Sequence, residues 1–200
     1  MGKTLAYLRT STDRQDLNNQ RLEILEYARR NDLHIDDFIA ISISSRRSPR
    51  ERRIEELLQE HAADYSVLRH APVYTSEEAA AVRGTSLSSG AKALICKGGE
   101  DMIMFVVPAD RRLASKSIRR QAGWRKLRFA TREEVQELTG LTPGSIPPFG
   151  SLFQLPTYCD QALAENERIN FNAGSQTISL NLLYADYVRV ENPQLGEYAE

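Results

Sequence analysis

The chain has 200 residues, of which 41% are hydrophobic and 26% charged, and its formal net charge at pH 7 is -1. These fractions are typical of a globular protein, and the balanced charge excludes a protein that coats nucleic acid with its whole surface. The longest apolar run, MIMFVVP, is too short to span a bilayer, and the first residues lack a signal-peptide pattern. We therefore expect a cytoplasmic protein with no membrane contact. The two cysteines and three histidines form no ligand-like spacing, so no metal and no cofactor are expected.

The first 50 residues carry the signals of strand, helix and strand. The run TLAYL at 4–8 precedes an amphipathic pattern over 16–32, and DDFIAISIS at 36–44 returns to β-branched residues. This order predicts a βαβ unit. Ser48 and Glu51 bracket Pro49 as a capping box, which predicts a new helix and places a domain boundary between residues 50 and 51.

Residues 51–200 predict a mixed α/β domain. Two capping boxes open short helices that each end at a glycine, namely Thr75 and Glu78 before Gly84, and Thr131 and Glu134 before Gly140. The runs AKALICK and MIMFVVP flank the turn GGED and predict a hairpin. Further strands are expected in LFQLPTYCD, RINFNAG and TISLNLLY, and a final turn or helix in ADYVRV. The stretch at 141–150, LTPGSIPPFG, cannot form a helix or a central strand because its prolines lack donors.

Lys92 is the first candidate site residue. It stands at the mouth of the apolar strand AKALICK, where desolvation of an ammonium is costly unless a partner compensates it. A lysine that borders an enclosed space is one explanation. A strand-end lysine whose amine reaches water is the other, and composition leaves both open.

Two glycine-containing turns are further candidates. Gly144 and Gly150 flank the proline pair, and backbone N–H groups there could form an oxyanion hole, although a stiff surface connection would have the same sequence. In FNAGS, Asn172 could bond a substrate and Gly174 permits a close backbone approach, although an ordinary strand-to-turn junction would also fit.

A basic stretch lies between residues 110 and 129, with Asp110 as its sole acid. Such density indicates a surface that follows phosphates, while a solvated helix face is the ordinary alternative. Its eight cations are Arg111, Arg112, Lys116, Arg119, Arg120, Arg125, Lys126 and Arg128.

Taken in order, SEEAAAVRGTSLSSGAKALICK, VVPADRRL, LRFATREEVQELTGLTPGSIPPFG, INFNAGS and LLYADYVRV resemble the YbaK/prolyl-tRNA synthetase-associated domain family, in its YeaK-like branch. The resemblance covers residues 54–200. It implies a mixed-sheet fold with a central cavity surrounded by helices, and hydrolysis of the ester that joins a wrong amino acid to tRNA. The family's lysine falls on Lys92, the glycine of its proline-containing loop on Gly144, and the residues of its small turn on Asn172 and Gly174.

The first 50 residues resemble a truncated catalytic domain of serine recombinases of the resolvase/invertase type. In YLRTSTDRQ, the family's active-site arginine and nucleophilic serine would fall on Arg9 and Ser11. The family's arginine-rich segment and helix-turn-helix domain do not follow in this sequence. Because phosphoryl transfer needs several cations around the phosphate, we expect this site to be vestigial and DNA not to be a partner.

The leading hypothesis is therefore trans-editing hydrolysis of tRNA mischarged with a small amino acid such as serine, alanine or threonine. The expected partner is mischarged tRNA, with an aminoacyl-tRNA synthetase as a second candidate. Two alternatives stay open at this point: a DNA-interacting recombinase relic in residues 1–50, and a non-catalytic module that binds tRNA or a synthetase.

Overall fold

A computed structural model of the chain describes residues 5–10, 14–35, 37–42 and 49–200. The contacts between Cα atoms divide the chain into two units, residues 1–49 and 50–200, and each is described by itself. None of the helices in the described ranges is both long and apolar enough to cross a membrane.

The first unit contains one βαβ element. Strands β1 (Leu5–Thr10) and β2 (Asp37–Ser42) pair in parallel, and helix α1 (Arg14–Arg30) connects them. A parallel pair requires such a crossover, because a tight turn cannot join the ends. Arg9 lies on β1, whereas Ser11 and the predicted cap Ser48 lie outside the described residues.

The second unit contains two sheets, a five-stranded one in the order β10-β7-β5-β4-β6 and a three-stranded one in the order β3-β9-β8. Strand β7 runs parallel to β5 and β10, whereas β4 is antiparallel to β5 and β6. The elements are α2 (Pro49–Glu60), β3 (Tyr65–Arg69), α3 (Ser76–Arg83), β4 (Ala91–Gly98), β5 (Asp101–Pro108), α4 (Ser115–Gln121), β6 (Leu127–Phe129), α5 (Arg132–Thr139), β7 (Thr157–Asp160), β8 (Arg168–Asn172), β9 (Ile178–Leu183), α6 (Tyr184–Glu191) and β10 (Gln194–Gly196).

The two capping boxes predicted within residues 51–200 are present, at the starts of α3 and α5. The Thr75 hydroxyl accepts from the Glu78 N–H at 3.1 Å, and the Glu78 carboxylate accepts from the Thr75 N–H at 3.3 Å. Thr131 and Glu134 make the same reciprocal pair at 3.2 and 2.8 Å. Each pair satisfies two N–H groups that a helix start would otherwise leave without an acceptor.

One strand prediction needs correction, and one strand was missed. The strand expected in LFQLPTYCD begins only at Thr157, because residues 150–153 form a 3-10 turn and Gln154 adopts a left-handed φ of 59°. Strand β10 was not predicted, since three residues are too short to show an alternating pattern.

Hydrophobic clusters cover both faces of the larger sheet. Ala91, Ala93 and Ile95 of β4 pack in the larger cluster, while Leu94 and Cys96 pack in the smaller one. Helix α2 contributes Ile54 and Leu58 to the larger cluster, and both side chains are fully buried. Residues 54–58 are therefore part of the core of the second unit.

We expect Leu58→Ala to lower the free energy of unfolding of the second unit by about 2–5 kcal/mol, because a fully buried leucine leaves a cavity when truncated. Chemical denaturation would measure the loss. Glu56→Ala, an exposed position on the same helix, is the matched control and should change stability by less than about 0.5 kcal/mol. Equal effects of the two substitutions would show that α2 does not pack in this core.

Candidate functional site

A cavity of about 370 Å³ lies at the edge of β4 that β6 leaves uncovered. Strand β6 pairs only with Cys96, Lys97 and Gly98, and β8 reaches the start of β4 only through a single bridge between Gly90 and Asn170. Within the described part of the chain, the residues of β4 between these two points pair with no strand on that side. Residues 90–95 form one wall of the cavity, and α3, the segment at 143–146 and the end of β8 form the others. The site thus exists because one short strand stops early.

Lys92 lies on this wall and is half-buried. Its ammonium donates to the carbonyl oxygens of Arg111 at 2.9 Å and Ala109 at 3.5 Å, in the loop that follows β5. Burial lowers its pKa, and the charges of Asp110 and Glu77 oppose that shift. An ammonium has three donors. The third has no acceptor among the described residues and is free for a ligand.

The proline-rich segment is held by two hydrogen bonds from the turn after β8. The Asn172 amide donates to the Gly144 carbonyl oxygen at 2.7 Å, and the Gly174 N–H donates to the Ser145 carbonyl oxygen at 2.8 Å. Gly144 has a φ of 88°, which favours glycine. Gly144 and Asn172 line the cavity, whereas Gly174 does not. Gly174 therefore contacts the segment rather than the cavity.

Arg83 is a cavity residue that the sequence did not identify. From the end of α3 its guanidinium donates to the side-chain Oδ1 of Asn172 at 2.6 Å and to the Ser179 hydroxyl at 2.8 Å. Burial lowers its pKa to about 10, and no carboxylate in the described part of the chain lies within ion-pair distance of it. A cation in the last turn of a helix is ordinary, so the sequence offered no signal for a role in the site.

These contacts form a chain of three residues, Arg83 to Asn172 to Gly144, which joins α3, β8 and the proline-rich segment. Both functional groups of the Asn172 side chain are used in it. The interaction with Arg83 orients the amide, and the amide then fixes the position of the Gly144 carbonyl. Asn172 is thus engaged with protein atoms, which fits a positioning residue better than a group in contact with substrate.

The charged residues that line the cavity are all cations. Two cations, Lys92 and Arg83, line it, and none of the lining residues is an aspartate, glutamate, histidine or cysteine. Gly144 and Ile146 also line it, and their N–H groups have no acceptor in the part of the chain that the structure describes. Such a site can stabilise negative charge on an oxygen, and no carboxylate or imidazole that could act as a general base lines it.

Some cations of the basic stretch line a common hollow, and the others do not. A second hollow, of about 360 Å³, is lined by Arg119, Lys126 and Arg128 together with Lys97 of β4, which was not predicted. Arg128 is paired with Glu134 through two hydrogen bonds of 2.7 Å, and Arg111 lies 3.6 Å from Glu165. Five of the eight predicted cations line neither hollow, namely Arg111, Arg112, Lys116, Arg120 and Arg125.

Two family models match the sequence. Residues 70–190 match the aminoacyl-tRNA editing domain, and residues 4–70 match the N-terminal domain of resolvases. The multifunctional Ser/Thr-tRNA deacylase ProXp-y of Escherichia coli (strain K12) is 35% identical over 152 residues, which cover 74% of this chain and 91% of that protein. The prolyl-tRNA editing protein ProX of Acetoanaerobium sticklandii is 24% identical over 139 residues, covering 66% of this chain and 85% of that protein.

A solved structure confirms the predicted fold class. The crystal structure of a candidate trans-editing enzyme for prolyl tRNA synthetase superposes with a TM-score of 0.69 at 28% identity, over 77% of this chain and 99% of that one. The mixed-sheet α/β fold expected from the resemblance is therefore correct.

We expect Asn172→Asp to loosen the proline-rich segment. The carboxylate keeps an acceptor for Arg83, but it replaces the donor that faces the Gly144 carbonyl with an oxygen 2.7 Å away, so the two oxygens repel. Amide hydrogen exchange should rise about tenfold or more at Ser145 and Gly174, whose N–H groups donate to the carbonyl oxygens of Thr142 and Ser145. Asn192→Asp, at an exposed helix end, is the control, and equal protection in both variants would contradict the role given to Asn172.

Proposed function

The chain belongs to the aminoacyl-tRNA editing domain family, and from this premise we propose that it hydrolyses tRNA mischarged with serine or threonine, in trans. The Escherichia coli relative, a Ser/Thr-tRNA deacylase, supports this substrate class. The observation that carries the proposal is a small cavity lined by two cations, Lys92 and Arg83, and by no acidic side chain. Alanine, which is smaller than either amino acid, stays a further predicted substrate.

Editing by a second site is useful because one methylene changes binding by only about 1–3 kcal/mol, so a synthetase cannot reject close analogues by binding alone. A cavity of about 370 Å³ accepts a small aminoacyl group and restricts larger ones by size. We place the editing activity in residues 51–200 and the protein in the cytoplasm, where charged tRNA is found. A synthetase partner stays a prediction.

We propose that the described groups act on the ester as follows. Water attacks the carbonyl carbon, and the ester oxygen of the ribose leaves and takes up a proton. The ribose hydroxyl next to the ester assists, since no carboxylate or imidazole lines the cavity. Lys92 and the N–H groups of Gly144 and Ile146 stabilise the charge that develops on the carbonyl oxygen. Asn172 and Gly174 position the segment that carries those N–H groups.

We do not propose DNA strand exchange for the resolvase-like region. The match ends at residue 70, and residues 50–70 of it belong to the second unit, where α2 packs in the core and β3 pairs with β9. Strand exchange would use Ser11, which lies outside the described residues, together with the family's arginine-rich segment, whose pattern does not follow β2 in this sequence. A covalent DNA adduct that Ser11→Ala abolishes would revive this alternative.

We expect Lys92→Ala to lower the single-turnover deacylation rate of seryl- and threonyl-tRNA by roughly 10²–10³-fold, the loss typical for one oxyanion donor. A panel of mischarged tRNAs at saturating enzyme would measure it, with circular dichroism to show that the fold persists. Lys116→Ala is the control, since that lysine is exposed and lines neither hollow. A Lys92→Ala rate equal to that of the unaltered protein would remove the lysine from the mechanism.

We also propose that the second hollow binds backbone phosphates of the tRNA, and Lys126→Gln tests this. The slope of log affinity against log salt should fall by about 1, as expected for one lost phosphate contact. Arg128→Gln should change the slope less, because its guanidinium already pairs with Glu134. Filter binding of uncharged tRNA at several salt concentrations measures both slopes, and an unchanged slope in Lys126→Gln would place the phosphates elsewhere.

A further inference from the structure

Two exposed aromatic rings stand at the mouth of the cavity. Tyr74 is 72% exposed and Phe129 is 57% exposed, and both line it. Among residues 53–200, these are the aromatic side chains that the structure leaves exposed. Apolar surface of this size is normally buried, so two such rings at the entrance of one cavity point to a ligand that covers them.

The exposure does not come from loosely held backbone. The Tyr74 N–H donates to the Glu78 carboxylate at 2.7 Å, so the capping box of α3 also fixes the residue that precedes it. Phe129 pairs with Cys96 across the β6–β4 ladder, and its carbonyl oxygen accepts from Arg128 at 3.1 Å. Both rings are therefore presented from fixed backbone positions on two different walls of the entrance.

The size of the cavity indicates which part of the substrate lies at these rings. At about 370 Å³ it is near the lower end of ligand pockets, which suits an aminoacyl group and the sugar that carries it. The base attached to that sugar must then lie at the mouth. Bases stack on aromatic side chains regardless of their identity, because every base presents a π-face.

We infer that Tyr74 and Phe129 form a stacking site for the base of the 3′-terminal nucleotide of the tRNA. The inference rests on the proposed function, since the ester inside the cavity fixes where the base must lie. The site adds a contact that is independent of the amino acid, so it contributes affinity for every charged tRNA while the cavity selects the acyl group. Neither residue takes part in bond breaking.

Fluorescence of a modified base tests the stacking directly. The probe is a short RNA hairpin that ends in unpaired CC and 2-aminopurine, with serine joined to the terminal ribose by an amide, which this site is not expected to hydrolyse. Titration with the full chain should quench the fluorescence, because 2-aminopurine loses emission when stacked. Phe129→Ala and Tyr74→Ala should each raise Kd roughly 5- to 100-fold, the range for one lost stacking contact.

Matched variants separate stacking from general damage. Phe129→Trp should keep both the quenching and the Kd, since the larger ring still presents a face. Leu195→Ala, an exposed apolar residue on β10 that does not line the cavity, should also leave both unchanged. Unchanged Kd and quenching in Phe129→Ala and Tyr74→Ala would overturn the inference even if the protein deacylates tRNA. Quenching that requires both rings, in a protein that deacylates none of the tRNAs, would support the stacking site while refuting the proposed function.

Discussion

The early end of β6 is the constraint on which the site depends. Strand β4 is fully paired with β5 along its length, but β6 covers only its last three residues. An uncovered sheet edge presents unpaired backbone groups and would ordinarily invite another strand. Here α3 and the proline-rich segment close around the edge without pairing with it, and the space they leave is the cavity. Residues 143–148 contain three prolines. Because proline lacks an N–H, this segment is poorly suited to add a strand there.

The second constraint is the cost of keeping cations in that space. The burial that lowers the pKa of Arg83 to about 10 also lowers the pKa of Lys92, so both groups lose hydration in the folded protein. Neutral oxygens compensate this loss, namely Asn172 and Ser179 for Arg83 and two loop carbonyls for Lys92. Carbonyl and hydroxyl partners satisfy donors without cancelling the charge. The cavity therefore keeps the net positive charge that an oxyanion needs, which a carboxylate partner would remove.

The sequence predicted elements whose signals are local and missed features that depend on the tertiary fold. Both capping boxes and the β4–β5 hairpin could be read directly, because their residues lie within a few positions of one another. Lys92 and Gly144 were predicted as site residues partly through a family resemblance, and they do line one cavity. Arg83 was missed because its partners Asn172 and Ser179 are 89 and 96 residues away. Lys97 was missed because it joins the basic stretch only through the pairing of β4 with β6.

The two family matches meet at residue 70, although the fold divides the chain after Pro49. Residues 50–69 contain α2 and β3, an amphipathic helix followed by a strand, which is a pattern common to many α/β proteins. In this chain α2 buries Ile54 and Leu58 in the larger core cluster, and β3 extends the three-stranded sheet through β9. The physical contacts therefore assign this region to the editing unit, whichever family its sequence resembles. The resolvase match thus extends over a helix and a strand that pack in the second unit, because an amphipathic helix followed by a strand is too common a pattern to separate two α/β families.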